Sequence, residues 1–252
     1  MATGTLFLVP APLDFGCTPE MPLNEVMPQA TLATAARLTH WVGENAKSTR
    51  AYLKRISALV PLAQPLQQMS IVELPREVHK RGDHLGEFDA RPLLAPALAG
   101  HDMGLVSEAG MPAIADPGAS VVRAAHQLGV TVVPLVGPIS LMLALAASGL
   151  NGQNFAFVGY LPQDSAQRSA RLRSLSQWVQ QSGQTQMFIE TPYRNAALFQ
   201  ALLSELPGQT RLAVCSGLTL THQQVRCQTV QAWKSQPVPP DKTTPCVFLM
   251  GR

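Results

Sequence analysis

The chain has 252 residues, of which 46% are apolar and 14% are charged, and its net charge at pH 7 is +3. This charge is too small to indicate nucleic-acid binding from composition alone, so any basic surface has to be local. The low charged fraction is typical of a well-buried α/β core and favours a subunit interface.

Cysteine spacing and the apolar segments predict a cytoplasmic protein without a membrane anchor or a metal site. The cysteines lack the short spacings of metal or redox motifs, which predicts free thiols. They are Cys17, Cys215, Cys227 and Cys246. The N-terminus has no basic region followed by an apolar core, so we expect no secretion signal. Residues 132–150 approach the length of a membrane helix, but Pro134, Gly137 and Pro138 interrupt them.

The first half alternates short apolar strands with helical stretches. Strands are predicted at 5–9, 40–42, 70–73 and 103–106, helices at 32–37, 48–59 and 92–99, and a Pro-rich irregular segment at 10–28. Such alternation favours a mostly parallel sheet flanked by helices. In sheets of this kind ligands bind at the carboxyl ends of the strands.

The second half continues the alternation and predicts a second α/β domain. Helices are predicted at 119–128, 140–148, 164–179 and 192–206, strands at 130–133, 155–159, 185–190, 211–215 and 246–250, and a hairpin within 219–231. Asp164 and Gln167 resemble a capping box that opens the third of these helices. We therefore predict an N-terminal domain at 1–118 and a C-terminal domain at 119–252.

Two loops rich in small residues follow predicted strands. Residues 107–118 contain two glycines and two prolines, and residues 136–140 form a second loop of the same kind. Little side-chain bulk there leaves main chain exposed to a ligand, so the two loops are expected to line one pocket. The alternative is an ordinary turn in which Asp116 caps the next helix and Pro117 occupies its first position.

Five motifs follow one another along the chain: residues 4–12, residues 107–118, residues 133–150, residues 155–162 with Arg168, and residues 189–194. In this order they resemble the tetrapyrrole methylase superfamily, the class III S-adenosylmethionine-dependent methyltransferases. Within the superfamily the likeness is strongest to the ribosomal RNA small subunit methyltransferase I group. It covers nearly the whole chain, and the order and spacing of the motifs carry it more than any single one.

The resemblance implies two α/β domains with mostly parallel or mixed sheets, a homodimer, and S-adenosylmethionine bound in a cleft between the domains, largely by backbone groups. Carried over by motif position, the implied donor contacts are Pro10, Ala109, Gly110, Met111, Ile114, Ile139, Ser140, Glu190 and Ala213. Simpler structural roles remain open for four of them. Ile114 and Ala213 would also suit a core, Pro10 would suit a strand end, and Glu190 would suit the charge at a helix terminus.

The chain departs from the superfamily pattern in three places. Residues 13–17 replace the usual continuation of the first motif, and a Pro-rich insert follows them. Glu108 and Met111 stand where the superfamily has Asp and Thr. Residues 216–223 lack the acidic and basic residues that usually follow the strand near Ala213. These departures bear on the acceptor more than on the donor site.

Methyl transfer from a sulfonium is an in-line displacement, so the protein mainly has to align donor and acceptor. A ribose hydroxyl acceptor also needs a base. Glu44 is the preferred candidate and Lys47 the second, because both follow a short strand. The alternative is a helix N-terminus capped by Asn45 or Ser48 with Glu44 in solvent. Two other side chains are weaker candidates for the base. Glu108 would orient the loop, and His222 is expected on the surface.

Two predicted helices carry basic side chains on one face. Lys47, Arg50 and Lys54 share a face of one helix, and Arg168 and Arg171 share a face of another. Such faces suit phosphates, and a solvated charged face is the simpler alternative.

The sequence thus predicts a methyltransferase that uses S-adenosylmethionine on RNA, at a ribose 2′-hydroxyl of ribosomal RNA, with ribosomal RNA or a ribosomal subunit as its partner. One alternative is a methylase of a tetrapyrrole or another small acceptor. A second is a donor-binding protein that has lost catalysis, which the departures at residues 216–223 suggest.

Overall fold

The computed structural model describes residues 2–83, 86, 88–237 and 239–252. The chain divides into two compact units, which we call the N-terminal unit and the C-terminal unit. The N-terminal unit comprises Met1–Phe15 and Glu20–Pro138, and the C-terminal unit comprises Gly16–Pro19 and Ile139–Arg252. Within the described residues, no helix is both long enough and apolar enough to cross a bilayer.

The N-terminal unit is built on a five-stranded parallel sheet. Its strands are β1 (Thr5–Leu8), β2 (His40–Gly43), β3 (Ser70–Glu73), β4 (Met103–Val106) and β5 (Thr131–Pro134), in the order β3-β2-β4-β1-β5. The helices are α1 (Leu23–Val26), α2 (Gln29–Arg37), α3 (Ala46–Ser57), α4 (Arg76–Arg81), α5 (Ala95–Leu98) and α6 (Ala119–Gln127). Short 3-10 helices span Leu66–Gln68 and Arg91–Leu94. This is the predicted mostly parallel architecture.

Strand β4 lies at the centre of this sheet and is buried along its whole length. Burial on both faces is expected of a parallel strand that helices cover on each side. Gly104 makes room for the buried indole of Trp41, because a Cβ at Gly104 would lie 2.5 Å from that ring. The sequence therefore fixes close packing between β2 and β4.

The C-terminal unit has a mixed sheet. Its strands are β6 (Phe155–Tyr160), β7 (Thr185–Glu190), β8 (Arg211–Ser216), β9 (Gln224–Thr229) and β10 (Cys246–Gly251), in the order β6-β7-β10-β8-β9. Only β6 and β7 pair in parallel, and the other three pairings are antiparallel. The helices are α7 (Ser140–Ser148), α8 (Ser165–Ser182), α9 (Asn195–Glu205) and α10 (Val230–Ser235), and a 3-10 turn spans Pro192–Arg194. The hairpin predicted within 219–231 is wrong, because that stretch contributes only β9, which pairs with the preceding strand β8.

Local signals in the sequence determine several helix ends of the C-terminal unit. The side chain of Asp164 accepts a hydrogen bond from the amide of Gln167 at 2.9 Å, as the predicted capping box requires. Helices α7 and α8 both end at glycines in the left-handed conformation, Gly149 and Gly183. Inside the unit, the buried indole of Trp233 donates to the carbonyl of Leu212 at 2.8 Å.

The structure divides the chain later than the predicted boundary at residue 118. Helix α6 and strand β5 belong to the N-terminal unit because β5 pairs in parallel with β1 along its whole length. The first segment that belongs to the C-terminal unit after this pairing begins at Ile139. A strand that joins a sheet formed by earlier residues cannot be assigned from its local sequence.

The N-terminus of α6 is capped from a distant segment. The carboxylate of Asp83 accepts hydrogen bonds from the amides of Gly118 and Ser120, both at 2.9 Å, and from the hydroxyl of Ser120 at 2.5 Å. Asp116 and Pro117 therefore lie before the helix, and the predicted cap at Asp116 is wrong. Asp83 fixes the end of the 107–118 loop, because that loop runs directly into α6.

Replacing this cap is expected to destabilise the N-terminal unit. Asp83→Ala leaves two buried amides without a partner, so we expect the free energy of unfolding to fall by about 2–3 kcal/mol. Ser120→Ala removes one hydroxyl only and should cost about 1 kcal/mol. Urea unfolding followed by circular dichroism measures both, and equal losses in the two variants would contradict this role of the Asp83 carboxylate.

Candidate functional site

The carboxyl ends of the parallel strands bring the predicted site residues of the N-terminal unit to one edge of its sheet. Pro10 lies just beyond β1, Glu44 directly follows β2, and Ser107 directly follows β4. The 136–138 segment leaves β5 at the same edge. Binding at this edge is the rule for open parallel sheets. The sequence alternation alone predicted this location.

The loops after β1 and β4 are joined by main-chain hydrogen bonds. The amide of Ala11 donates to the carbonyl of Gly110 at 2.8 Å, and the amide of Gly110 donates back to Ala11 at 3.0 Å. Gly110 adopts a φ of 69°, which glycine tolerates without strain. Since both of its polar groups are engaged in this bridge, Gly110 is not the bare main chain that its sequence suggested. It holds the loop in place instead.

The 136–138 segment packs directly on Pro10. A Cβ at Gly137 would lie 2.3 Å from Cγ of Pro10, so only glycine permits this approach. The carbonyl of Pro138 lies 3.8 Å from the Cβ position of Gly110. The hydroxyl of the buried Tyr52 on α3 donates to the carbonyl of Pro10 at 2.9 Å. The two loops predicted to line one pocket therefore meet, within the N-terminal unit, around Pro10.

The middle of the 107–118 loop is strained. Ala113 and Ala115 have φ values of 66° and 65°, a region in which a Cβ costs about 1 kcal/mol per residue. Hydrogen bonds from Ala113 to Pro117 and from Ile114 to Met111, both 3.3 Å, support this conformation. Ile114 is 42% exposed, so the core alternative for its side chain is wrong. An exposed apolar side chain on a strained loop is available to a ligand.

Three carboxyl groups of this edge interact electrostatically. The carboxylate of Glu44 accepts a hydrogen bond from the amide of Glu108 at 3.2 Å. Burial, followed by the negative charges of Glu44 and Glu108, raises the pKa of Asp116 to about 7. Asp116 therefore changes its charge near neutral pH, which is the property of a proton-transfer group. The sequence suggested only a helix cap for Asp116, because burial and not a local motif distinguishes it from an ordinary loop carboxylate.

The first turn of α3 settles the alternative proposed for Glu44. Asn45 caps the helix by accepting from the amides of Lys47 and Ser48, at 2.8 and 3.2 Å. This part of the alternative is confirmed, but Glu44 is half-buried and bound to the loop rather than in free solvent. The side chain of Lys47 is exposed. It lacks the burial that activates catalytic lysines, so Glu44 remains the stronger candidate of the two.

Ser107 begins the loop and has a buried hydroxyl. Its side chain is 6% exposed, and its Oγ makes no hydrogen bond within the part of the chain that the structure describes. A buried hydroxyl without a partner costs free energy, so this group is suited to a polar ligand atom. Ser107 is a residue that sequence analysis did not single out.

The predicted donor contacts of the C-terminal unit have separate local roles. Ile139 precedes α7 and Ser140 is its first residue. The carboxylate of Glu190 accepts from the amide of Thr191 at 2.7 Å and pairs with Arg194 at 2.8 Å, which matches the helix-end alternative. Ala213 is fully buried on β8, which matches its core alternative. Donor contact at these four residues stays a prediction.

The two segments that depart from the superfamily pattern are ordered by specific contacts. Asp14 is 3% exposed and accepts two hydrogen bonds from Arg55 on α3, at 2.8 and 3.0 Å. Arg55 also donates to the carbonyl of Met21 at 2.6 Å. In the other segment, the amide of Thr219 donates to the side chain of Gln223 at 3.0 Å. His222 is exposed, as predicted.

The raised pKa of Asp116 predicts how stability depends on pH. Between about pH 4 and about pH 7 the folded chain keeps a proton that the unfolded chain releases, so Asp116 reduces stability increasingly as the pH rises through this window. Asp116→Asn removes this penalty. We therefore expect its gain in Tm over the parent to be larger at about pH 8 than at about pH 5, by about 5–10 °C.

Asp89→Asn is the matched control, because a hydrogen bond from Arg91 lowers the pKa of Asp89 instead of raising it. A lowered pKa contributes stability that is lost on acidification, so this variant should show no gain at the higher pH. Scanning fluorimetry measures both variants. A gain for Asp116→Asn that is independent of pH would contradict the assignment.

Sequence relatives carry methyltransferase names. The family model described as Tetrapyrrole (Corrin/Porphyrin) Methylases matches residues 29–232. A ribosomal RNA small subunit methyltransferase I of Pseudomonas aeruginosa is 29% identical over 90% of this chain and 70% of its own length. The protein of that name in Vibrio cholerae is 36% identical over 57% of this chain. The match spans about half of the Vibrio protein's length, 49%.

Solved structures share the fold at low sequence identity. The crystal structure of the methyltransferase CobJ has a TM-score of 0.59 at 17% identity and covers 100% of this chain and 95% of its own. The conserved hypothetical protein APE0931 from Aeropyrum pernix K1 has a TM-score of 0.62 at 16% identity and covers 99% and 84% of the two chains. Since the family model matches most of the sequence, the chain belongs to the tetrapyrrole (corrin/porphyrin) methylase family.

Proposed function

We propose that the chain is an S-adenosylmethionine-dependent methyltransferase that methylates a ribose 2′-hydroxyl of ribosomal RNA. The observation that carries the proposal is the convergence of the segments after β1, β2, β4 and β5 at one sheet edge, in a member of this family. That edge holds the strained loop, the buried Ser107 hydroxyl and the carboxyl groups described above.

The chemistry of this edge suits the donor. The donor supplies a methyl group on a positively charged sulfur, and it also carries an ammonium group. Glu44 and Glu108 offer negative charge to such a cation, and Ser107 offers a buried hydroxyl to a polar atom. The residues proposed to hold the donor are Pro10, Ala109, Gly110, Met111, Ile114, Ile139, Ser140, Glu190 and Ala213. Gly110 acts by positioning the loop through its bridge to Ala11.

Two carboxyl groups are candidates for removing the proton from the acceptor hydroxyl. Glu44 is the first, because it lies at the start of α3 and is held by the amide of Glu108. Asp116 is the second, because a pKa of about 7 allows it to accept a proton near neutral pH. In this proposal Glu108 is a positioning residue, whose amide orients the carboxylate of Glu44.

An RNA acceptor is supported by the sequence relatives, which are named ribosomal RNA small subunit methyltransferase I. A tetrapyrrole acceptor is the second candidate, favoured by membership of the tetrapyrrole (corrin/porphyrin) methylase family and by a solved uroporphyrin-III-C-methyltransferase with the same fold. We also propose a homodimer in the cytoplasm, as the resemblance implies. Light scattering on the purified protein tests the dimer directly, and a monomer mass at micromolar concentration would reject it.

Methyl transfer assays separate these candidates. The protein is incubated with radiolabelled S-adenosylmethionine and with either small ribosomal subunits or uroporphyrinogen, while calorimetry measures donor binding alone. After digestion of the RNA, label recovered in nucleosides methylated at the ribose supports the proposal. This label should be absent when the proposed base is replaced. Label in the tetrapyrrole supports the second candidate. Donor binding without transfer to either acceptor supports a protein that has lost catalysis.

Glu44→Gln tests the proposed base. The substitution keeps the size of the side chain and an acceptor for the Glu108 amide but removes the basic oxygen. We expect kcat to fall about 10²–10⁴-fold, and donor affinity to fall as well, because one of the negative charges offered to the donor cation is removed. Glu25→Gln, an exposed substitution on α1, is the control and should leave both quantities unchanged. An unchanged kcat in Glu44→Gln would transfer the role of base to Asp116.

A further inference from the structure

Helix α3 has two faces with different uses. Its inner face carries the buried residues Thr49, Tyr52, Leu53 and Ile56. On its outer face Lys47, Arg50 and Lys54 are exposed, at positions i, i+3 and i+7. This spacing places the three side chains on one side of the helix over about 10 Å. We call these three residues the α3 basic face.

The three side chains of the α3 basic face make no ion pair among the described residues. The helix contains four basic residues and no acidic one. Across residues 2–83, 86, 88–237 and 239–252, no carboxylate oxygen lies within 4.0 Å of the Lys47, Arg50 or Lys54 side chains. The fourth basic residue, Arg55, differs because it pairs with Asp14 and Glu20. Arg55 therefore serves the fold, whereas the other three leave their charge to solvent or to a partner.

The position of α3 links this face to the candidate site. The helix begins two residues after Glu44, whose carboxylate holds the loop at Glu108. Tyr52 on the inner face holds the carbonyl of Pro10. We call the sheet edge at which the segments after β1, β2, β4 and β5 converge the donor edge. Helix α3 packs against this edge with its inner face and carries the basic residues on its outer face. Glu44 and Glu73 lie at the N-terminus of α3, where the carboxylate of Glu73 accepts a hydrogen bond from the amide of Ala46 at 2.6 Å.

We propose that the α3 basic face binds the backbone phosphates of the RNA acceptor and guides it to the donor edge. This inference rests on the proposed RNA acceptor and names the surface that the RNA contacts. Three cations in a row along about 10 Å suit consecutive phosphates of a single strand, and contacts to phosphates fix position without selecting sequence. The bases remain free for contacts elsewhere.

The variant Lys47→Gln, Arg50→Gln, Lys54→Gln tests the surface. Gln keeps helix propensity and length, so the fold is expected to persist, and circular dichroism checks it. The control is Arg37→Gln, Arg91→Gln, Arg173→Gln, which removes the same charge from exposed arginines. Each of these arginines already pairs with a carboxylate, Asp102, Asp89 and Glu205. Paired cations release fewer counterions to RNA, so the control should bind nearly as the parent does.

Fluorescence anisotropy with a labelled single-stranded RNA of mixed sequence is measured over a series of salt concentrations. For the basic-face variant we expect the slope of log affinity against log salt to fall by about 2, since each phosphate contact in a single strand contributes about 0.7. At low salt its affinity should fall at least about tenfold. An unchanged slope, or an equal loss in the control, would overturn the inference.

Measurements of donor binding and of methyl transfer distinguish failure of the proposed RNA-binding surface from failure of the proposed function. Calorimetry with S-adenosylmethionine should give the same affinity for both variants and the parent. RNA binding that depends on the basic face, without methyl transfer to RNA, would support the surface and reject the proposed acceptor. If the basic-face variant lost uroporphyrinogen methylation but bound RNA as the parent does, the proposed RNA contact at this face would be rejected. A tetrapyrrole acceptor would then be favoured.

Discussion

Parallel pairing of β1 with both β4 and β5 is the constraint on which the candidate site depends. Leu6 aligns with Met103 on one side and with Val132 on the other, so three strands point in the same direction and release their chains at the same edge. A parallel ladder has no freedom to place these ends elsewhere, because its register follows the buried side chains. The segments carrying Pro10, Ser107 and Gly137 therefore leave the sheet at the same edge.

Close main-chain contact at this edge follows from residues without side-chain bulk. Gly137 admits Pro10, and Gly110 bridges Ala11 in a left-handed conformation. The polar groups of these segments are then largely occupied by the protein itself. What the edge offers a ligand is consequently different from bare main chain: a strained loop, a buried hydroxyl at Ser107 and carboxyl groups with coupled charges. Rigid placement of such groups lowers the cost of ordering a ligand.

Local sequence patterns predicted much of the fold but only part of the site. Four elements were predicted at their observed bounds, because each is an apolar run bounded by turn residues or a capping signal. They are strands 70–73, 103–106 and 185–190 and helix 140–148. Asp164 and Gly149 could be recognised for the same reason. The roles of Asp83 and Asp116 could not be recognised from the sequence. Asp83 accepts the capping hydrogen bond of a residue 35 positions away, and Asp116 is buried by packing, so neither leaves a local signal. The domain boundary differed for the related reason that β5 joins earlier strands.

The acidic groups of the sheet edge and the basic groups on the outer face of α3 occupy different places. Acidic groups gather at the sheet edge, where burial and mutual repulsion raise the pKa of Asp116, while basic groups on the outer face of α3 make no ion pair among the described residues. Neutralising pairs between the two sets would lower that pKa and would remove the negative charge that suits a cationic donor. The same pairs would occupy the cations that suit phosphates. The helix therefore uses Arg55 for the fold, whereas Lys47, Arg50 and Lys54 make no ion pair among the described residues and keep their charge for a partner.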